Sequence, residues 1–157
     1  MVVVQTEILV DAPIEVCFDL ARDIGVHTKT VWKHTNEQAI EGVTSGRIGL
    51  GEFVTFQATH FCIKQKLTSK IVEYERPYTF VDQMIRGAFK SLRHIHEFEE
   101  RGAQTLIRDT LTFEAPLGAL GWIVERVMLK EYMRRFLEDR NRQLKKIAEG
   151  SHRGGLT

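Results

Sequence analysis

Four polar side chains in the second half of the sequence have types and spacings suited to acid–base chemistry. His94 and His96 are two residues apart in a segment that alternates between apolar and charged positions, so both project from one face of a predicted β-strand. Asp82 and Asp109 fall on the inward faces of two other predicted strands. A histidine with an aspartate behind it can act as a general base on an acidic C–H or hydroxyl group. The pattern therefore predicts a histidine–aspartate cluster on the inner face of a sheet.

The charged residues indicate which face of each strand is the inner one. In the predicted strand Thr105–Glu114, Arg108 and Glu114 mark the solvated face, so the alternate positions should point inward. The inward positions predicted in this way for Glu52–His60, Tyr78–Arg86, Phe89–Glu99 and Thr105–Glu114 are Val54, Phe56, Ala58, His60, Phe80, Asp82, Met84, Leu92, His94, His96, Phe98, Ile107, Asp109, Leu111 and Phe113. In the second of these strands the alternative phase, with Val81 and Ile85 inside, is nearly as apolar.

Three roles for the polar cluster remain open. Isolated buried charges cost several kcal/mol, so the simplest role is that the histidines pair with the inward aspartates and only line a wall. In a second role they orient a bound ligand, because small-molecule pockets combine apolar walls with a few polar groups. In a third, one histidine–aspartate pair acts as general acid and base, as cyclisation and dehydration reactions require.

The His-x-His spacing is also compatible with a metal site. Two imidazoles two residues apart on a strand project the same way, and Asp109 or His60 would supply a third ligand. Histidine pairs on strands are nevertheless common without a metal. We therefore expect neither a metal nor any other cofactor.

A long helix is the element that must cover this cluster. The segment Leu117–Ala148 contains no helix-breaking residue after Gly121 and would span about 45 Å. Its first half is apolar around much of its circumference, which is broader than the stripe of an ordinary surface helix. We therefore expect it to pack across a curved sheet. The residues expected to face the cavity or core near the two histidines are spaced four apart and are Val124, Met128, Tyr132 and Phe136.

The remaining segments predict a single α+β domain over residues 1–150. Val2–Val10 is rich in β-branched residues and predicts a strand, and Pro13 suits the first turn of the first of two short helices. From Thr35 onward the hydrophobic period approaches two, and turn-forming clusters separate about six further strands. An antiparallel sheet of about seven strands is too long to stay flat and should wrap around the last helix. Residues 151–157 are expected to form a disordered tail.

The composition argues against several classes of partner. Lys and Arg number 22 against 21 Asp and Glu, for a net charge of +1, so neither a nucleic acid nor an anionic membrane surface is favoured. No apolar run approaches about 18 residues, and the N-terminus lacks the pattern of a secretion signal. Cys17 and Cys62 lie in apolar segments without CxxC spacing, which favours buried free thiols. We expect a cytoplasmic protein without stable membrane insertion.

Several motifs together resemble the START-like superfamily, and more narrowly its bacterial polyketide cyclase/dehydrase and ligand-binding branch, the SRPBCC proteins. The resemblance covers residues 2–149. It is carried by five segments, which are Asp11–Pro13, Pro77–Asp82, His94–Phe98, Asp109 and Glu114–Gly118. It implies a helix-grip fold, in which a seven-stranded antiparallel sheet curls around a long C-terminal helix and encloses a deep cavity.

Two functional hypotheses follow from this resemblance and from the apolar inner wall. The first is binding or transport of a small hydrophobic molecule, such as a lipid, an isoprenoid or an aromatic metabolite, by a monomer or by a homodimer that buries Trp122. The second is a cyclase/dehydrase-like lyase or isomerase, for which His94, His96, Asp82 and Asp109 are candidates and no catalytic residue is assigned. The candidate ligand-binding residues are Phe56, Phe80, Asp82, Met84, His94, His96, Phe98, Asp109, Leu111, Val124, Met128, Tyr132 and Phe136.

Overall fold

The computed structural model describes residues 1–116, 118, 123 and 125–155. Strand β1 is followed by two short helices and then by six consecutive strands, as the sequence pattern predicts. The strands are β1 (Val2–Val10), β2 (Gln38–Gly42), β3 (Phe53–His60), β4 (Ile63–Glu75), β5 (Thr79–Arg86), β6 (Ser91–Arg101) and β7 (Gln104–Glu114). The helices are α1 (Ile14–Ala21), α2 (Ile24–Thr30) and α3 (Lys130–Gly154), with a 3-10 turn at Lys33–Thr35 and a π-helical turn at Glu125–Leu129.

All seven strands form one antiparallel sheet in the order β1-β7-β6-β5-β4-β3-β2. The α+β class and the curved sheet against a long helix are thereby confirmed. Register shifts interrupt the β4–β5 pairing twice and the β2–β3 pairing once, and such bulges increase the local twist and bend of a sheet. The register also places His96 opposite Asp109 and His94 opposite Asp82, which brings the four polar residues of the predicted cluster onto neighbouring positions.

The predicted inner faces agree with the burial pattern. On β7 and β6 the positions predicted to point inward are buried, and their neighbours are half-buried or exposed. On β5, Phe80 is buried while Asp82 and Met84 are half-buried. Val81 is also buried, but Ile85 is exposed. Of the two residues that the alternative phase would place inside, only Val81 is therefore buried. Alternation is therefore a reliable guide to this sheet because only one of its faces packs against helices.

The core lies between the sheet and the helices. Phe18 of α1 makes edge-to-face contacts with Tyr74, Phe80 and Phe98, at ring-centroid distances of 5.3–5.4 Å. Helix α3 contacts β1, α1 and α2, and it buries Leu137, Leu144 and Ala148. The strand β3, towards the opposite end of the sheet, lies outside these contacts, and residues of β3 and β4 form walls of the cavities.

One predicted helix position is wrong. Met128 is 57 % exposed, whereas Leu129 and Met133 pack against the core. The cause is the π-helical turn at Glu125–Leu129, in which the i→i+5 hydrogen bonds add a residue to the turn and rotate its side chains relative to the α-helical period. The spacing of four that joins Met128 to Tyr132 therefore does not keep them on one face. The predicted helix start at Leu117, Val124 and the proposed dimer contact Trp122 lie outside the described residues.

The C-terminal end of α3 also differs from the expectation. The helix continues to Gly154, so residues 151–154 are helical where a disordered tail is expected. The succession Gly154-Gly155 explains the stopping point, because glycine is the poorest helix former after proline. His152 and Arg153 in the last turn interact favourably with the helix dipole.

The outward surface of α3 is strongly charged. Arg134 pairs with Glu131 and Glu138 at 2.7 and 2.6 Å, and Arg135 pairs with Glu131 at 2.7 Å. Among the described residues, no helix has both the length and the apolar character needed to cross a membrane. Of the two thiols, Cys17 is buried as expected, whereas Cys62 is exposed because it lies in the tight turn between β3 and β4.

Asp19 of α1 forms ion pairs that link the helical layer to two loops. Its carboxylate lies 2.6 Å from Arg76 in the β4–β5 turn, 3.3 Å from Arg47 in the β2–β3 loop and 2.9 Å from Arg22. The hydrogen bond from Arg76 is the main cause of a lowered pKa of Asp19, and it outweighs the opposing effect of burial. The ionised carboxylate therefore stabilises the folded state.

Asp19→Asn should reduce the free energy of unfolding by about 1.5–3 kcal/mol at neutral pH, because it removes the charge that accepts these hydrogen bonds. The stabilisation is present above the pKa of an unfolded aspartate, about 3.9, and is lost as the pH falls through the lower folded pKa. The difference between the two proteins should therefore shrink below about pH 4. Urea denaturation at several pH values measures this effect. Glu41→Gln, on the exposed strand β2, is the control and should change stability by less than about 0.5 kcal/mol.

Candidate functional site

Two carboxylates and two imidazoles form a closed cluster on the inner face of the sheet. The same oxygen of Asp109, Oδ1, lies 2.9 Å from His94 Nε2 and 2.8 Å from His96 Nδ1. Asp82 Oδ2 lies 2.9 Å from His96 Nε2 and 3.8 Å from His94 Nδ1. The pairing of β5, β6 and β7 produces this arrangement, since it sets each histidine beside an aspartate of the adjacent strand. The predicted cluster is confirmed in its composition.

Further polar groups hold the cluster in place. Asn141 of α3 donates from Nδ2 to Asp109 Oδ2 at 2.6 Å and to the Thr6 hydroxyl at 3.3 Å. Ser69 donates to Asp82 Oδ1 at 2.8 Å. Because Asp109 can only accept, the amide nitrogen of Asn141 must face it, and the buried Oδ1 of Asn141 has no hydrogen-bond partner among the described residues. An unsatisfied buried oxygen is costly, which indicates that the contact with Asp109 dominates the orientation of this side chain.

The environment separates the pKa values of the two histidines. Burial opposes a charge on His96, but hydrogen bonds to Asp109 and Asp82 outweigh it and raise the pKa of His96. Burial lowers the pKa of His94, and the neighbouring charge of His96 lowers it further. Burial also opposes ionisation of Asp82 and Asp109, yet the hydrogen bonds from the histidines hold both pKa values well below the usual range. These shifts favour ionised carboxylates, a charged His96 and a neutral His94.

Two adjoining cavities lie between the sheet and α3. The first has a volume of about 220 Å³ and the second about 140 Å³. They share five wall residues, which are Glu37, Phe56, Leu67, Leu92 and Met133. The first cavity has mainly apolar walls, and the second reaches the histidine–aspartate cluster. The two together offer an apolar chamber with a polar inner end.

Most of the candidate ligand-binding residues lie in these walls. Those that line a cavity are Phe56, Phe80, Asp82, His94, His96, Leu111, Tyr132 and Phe136. Four other described residues do not, and one of them is the exposed Met128. Phe98 is packed in the core, Met84 packs against a second apolar cluster, and Asp109 lies behind the histidines with 1 % exposure. His60, considered above as a third metal ligand, instead bonds to the Tyr132 hydroxyl at 2.7 Å beside the first cavity.

The sequence reasoning overlooked charged residues in the wall of the second cavity. Glu37 precedes β2 and bonds to His27 at 2.8 Å, and both side chains line this cavity. Arg140 of α3 lines it as well and is only 4 % exposed. A signal for Arg140 was available, because this arginine occupies the apolar stripe of α3 between Leu137 and Leu144. Charged residues in such a stripe are candidates for a function inside the fold.

The order of the seven strands and the long C-terminal helix define a helix-grip fold of the START-like type. The structure of a START superfamily protein from Mycobacterium smegmatis superposes with a TM-score of 0.72 at 14 % identity, covering 94 % of this chain and 97 % of that one. A protein from Thermus thermophilus gives a TM-score of 0.75 at 19 % identity, covering 95 % and 98 % of the two chains. Major latex-like protein 151 from Panax ginseng gives 0.64 at 12 % identity, covering 93 % and 96 %. At these identities the likeness establishes the fold alone.

The family follows from the sequence itself. Residues 1–149 match the family model described as polyketide cyclase / dehydrase and lipid transport, and the chain belongs to that family. Comparison with curated protein sequences gives no match. The description of the family covers both an enzyme and a carrier, so the choice between them depends on the site.

Proposed function

We propose that this protein binds a small, mainly apolar molecule in the two adjoining cavities, as a carrier or binding protein of the cytoplasm. The observation that carries the proposal is the pair of adjoining cavities with apolar walls and a few polar groups at one end, which is the general construction of small-molecule sites. An engineered apolar cavity of about 150 Å³ accepts benzene. Chambers of about 220 and 140 Å³ therefore suit an aromatic metabolite or a short isoprenoid or acyl chain.

Arg140 supports a more specific ligand class. Within the described part of the chain its guanidinium makes no hydrogen bond or ion pair, although the residue is almost fully buried. The two carboxylates in the wall of the second cavity have other partners, since Glu37 bonds to His27 and Asp82 bonds to His96 and Ser69. The charge of Glu37 attracts Arg140, but a buried guanidinium without a hydrogen-bonded partner is only partly compensated in the empty protein. A ligand with an anionic end, such as a carboxylate, would supply the missing partner while its apolar body occupies the first cavity.

A second candidate function is acid–base catalysis by the cluster. The specific observation in its favour is a neutral His94 with Asp109 behind it, in the wall of a cavity. A neutral imidazole oriented by a carboxylate is suited to accept a proton from an acidic C–H group and to return it to a leaving hydroxyl as water departs. This is the chemistry of a cyclase/dehydrase.

Filling the first cavity should abolish binding of an apolar probe. Ala58 is buried in its wall on β3, so Ala58→Phe should weaken the affinity for the neutral fluorophore N-phenyl-1-naphthylamine at least about tenfold, because its ring occupies the ligand's space. Thr59→Phe adds the same ring on the opposite face of the same strand and should leave the affinity unchanged. Fluorescence titration measures both, and circular dichroism verifies folding. No binding by the unmodified protein, or equal loss in both variants, would contradict the proposal.

The anionic end of the ligand can be tested by comparing 2-naphthoate with the uncharged 2-naphthamide. Arg140→Met should weaken binding of the carboxylate about 10- to 100-fold, the equivalent of 1.5–3 kcal/mol for a charged hydrogen bond, and should affect the amide much less. The same substitution should leave the stability of the empty protein unchanged or raise it, because it removes a buried charge without a hydrogen-bonded partner while Glu37 keeps its bond to His27. Arg135→Met, on the exposed face of α3, is the control. Equal effects on both ligands would show that Arg140 has only a packing role.

The catalytic alternative requires turnover that depends on His94. A short poly-β-keto thioester, followed by mass spectrometry for the loss of water that accompanies ring formation, provides the assay. If His94 is the base, His94→Gln should lower the rate about 10²- to 10⁴-fold while the affinity for the neutral fluorophore is retained. Conversion that is absent, or that is equal in the two proteins, would exclude this function and leave the binding protein.

A further inference from the structure

We propose that Asp82, His94 and His96 form a binding site for a divalent first-row transition metal ion. One donor atom from each of the three residues lies within 4.8 Å of the others. Imidazole and carboxylate ligands bind Zn²⁺ at about 2.0–2.2 Å, so donor atoms that share one ion lie about 3–3.5 Å apart. The separations of 2.9 and 3.8 Å from Asp82 Oδ2 to the two imidazole nitrogens bracket this range. An ion can therefore be accommodated once the three donor atoms, which lie within 4.8 Å of one another, approach to this range.

Asp109 prepares the two histidines for this role. Its Oδ1 lies beside Nε2 of His94 and Nδ1 of His96, and a carboxylate accepts hydrogen bonds only. Both of these nitrogens therefore carry their hydrogen, and in neutral imidazoles the lone pairs reside on His94 Nδ1 and His96 Nε2. These are the two nitrogens that face Asp82. A carboxylate behind each metal-binding imidazole is the usual second layer of a metal site, where it selects the tautomer and orients the ring.

The charges of the cluster also favour a divalent cation. With Asp82 and Asp109 ionised and both histidines neutral, a divalent ion brings the net charge of the buried cluster to zero. Buried charges are tolerated when they are paired or coordinate a metal. A divalent ion beside Asp82 would therefore compensate both carboxylates of the cluster.

The ligand set and its position define the kind of site. Two imidazole nitrogens and one carboxylate oxygen suit Zn²⁺, Fe²⁺ or Co²⁺ and are poor ligands for Ca²⁺ or Mg²⁺. All three residues line the second cavity, and three protein ligands leave coordination positions open. Water or a polar group of a bound molecule can occupy those positions. The inference does not depend on the proposed apolar ligand, because the ion requires only the strands β5 and β6 and the orienting Asp109.

Titration of chelator-treated protein with Co²⁺ tests the site. We expect one equivalent to bind and to give visible d–d absorption, and we expect Zn²⁺ to displace it and raise the Tm of the unmodified protein. His94→Gln, His96→Gln and Asp82→Asn should each weaken binding about 100-fold or more. Asp109→Asn should retain the stoichiometry with about 10- to 100-fold lower affinity, which is the behaviour of an orienting residue and not of a ligand. His34→Gln, an exposed histidine, should match the unmodified protein.

Circular dichroism of each variant establishes whether it is folded, and the conservative Asp82→Asn change keeps the test available if a histidine variant does not fold. The proposal is overturned if the unmodified protein shows no saturable Co²⁺ binding. It is equally overturned if the three ligand variants bind Co²⁺ as tightly as the unmodified protein, or if His34→Gln removes the binding. None of these outcomes involves the affinity for N-phenyl-1-naphthylamine, so failure here and failure of cavity binding are distinguishable.

Discussion

The carboxylate of Asp109 connects the three parts of the molecule that build the site. It projects from β7, accepts hydrogen bonds from His94 and His96 on β6, and accepts another from Asn141 on α3. With 1 % exposure it has almost no access to water, so its ionised form depends on these donors. The same hydrogen bonds constrain their donors. They select the tautomers of the two histidines, and they leave the amide oxygen of Asn141 without a partner among the described residues. The helix is thereby held to the sheet at the inner end of the second cavity.

One half of the interior is filled with packed side chains, and the other half contains the cavities. Around Phe18, aromatic rings from α1, β4, β5 and β6 fill the interior, and the carboxylate of Asp19 fastens the adjacent loops. At β3 and the beginning of α3 the interior is left unfilled. Empty apolar space forfeits dispersion contacts, and the buried guanidinium of Arg140, which Glu37 attracts but does not bond, adds to that cost. A complementary molecule that fills this space and pairs with Arg140 would therefore raise the free energy of unfolding.

The fold and the family description leave room for two functions that use the same chamber in different ways. A carrier needs apolar walls and one or two orienting groups, and Arg140 is suited to orient an anionic end. An enzyme needs in addition a group that exchanges a proton at the reacting atom, and the neutral His94 is the side chain that has the environment for it. Both uses depend on the polar inner end of the second cavity. The distinction is chemical and cannot be read from the backbone, which this chain shares with the three solved structures at 12–19 % identity.

The sequence by itself determined the strands, their inner faces and the composition of the cluster. Period-two alternation on β6 and β7 is a local property, and once charged side chains mark the solvated face the positions of His94, His96 and Asp109 follow. Only the tertiary structure decided which donor atoms meet. Asp82 joins the two histidines in the group that we propose as a metal site, while Asp109 lies behind the histidines and His60 bonds to Tyr132. These outcomes depend on strand register and on the π-helical turn that exposes Met128, and both are set by packing between segments distant in sequence. Cavity volume and the environment of Arg140 have the same origin, since each is a property of the space between elements.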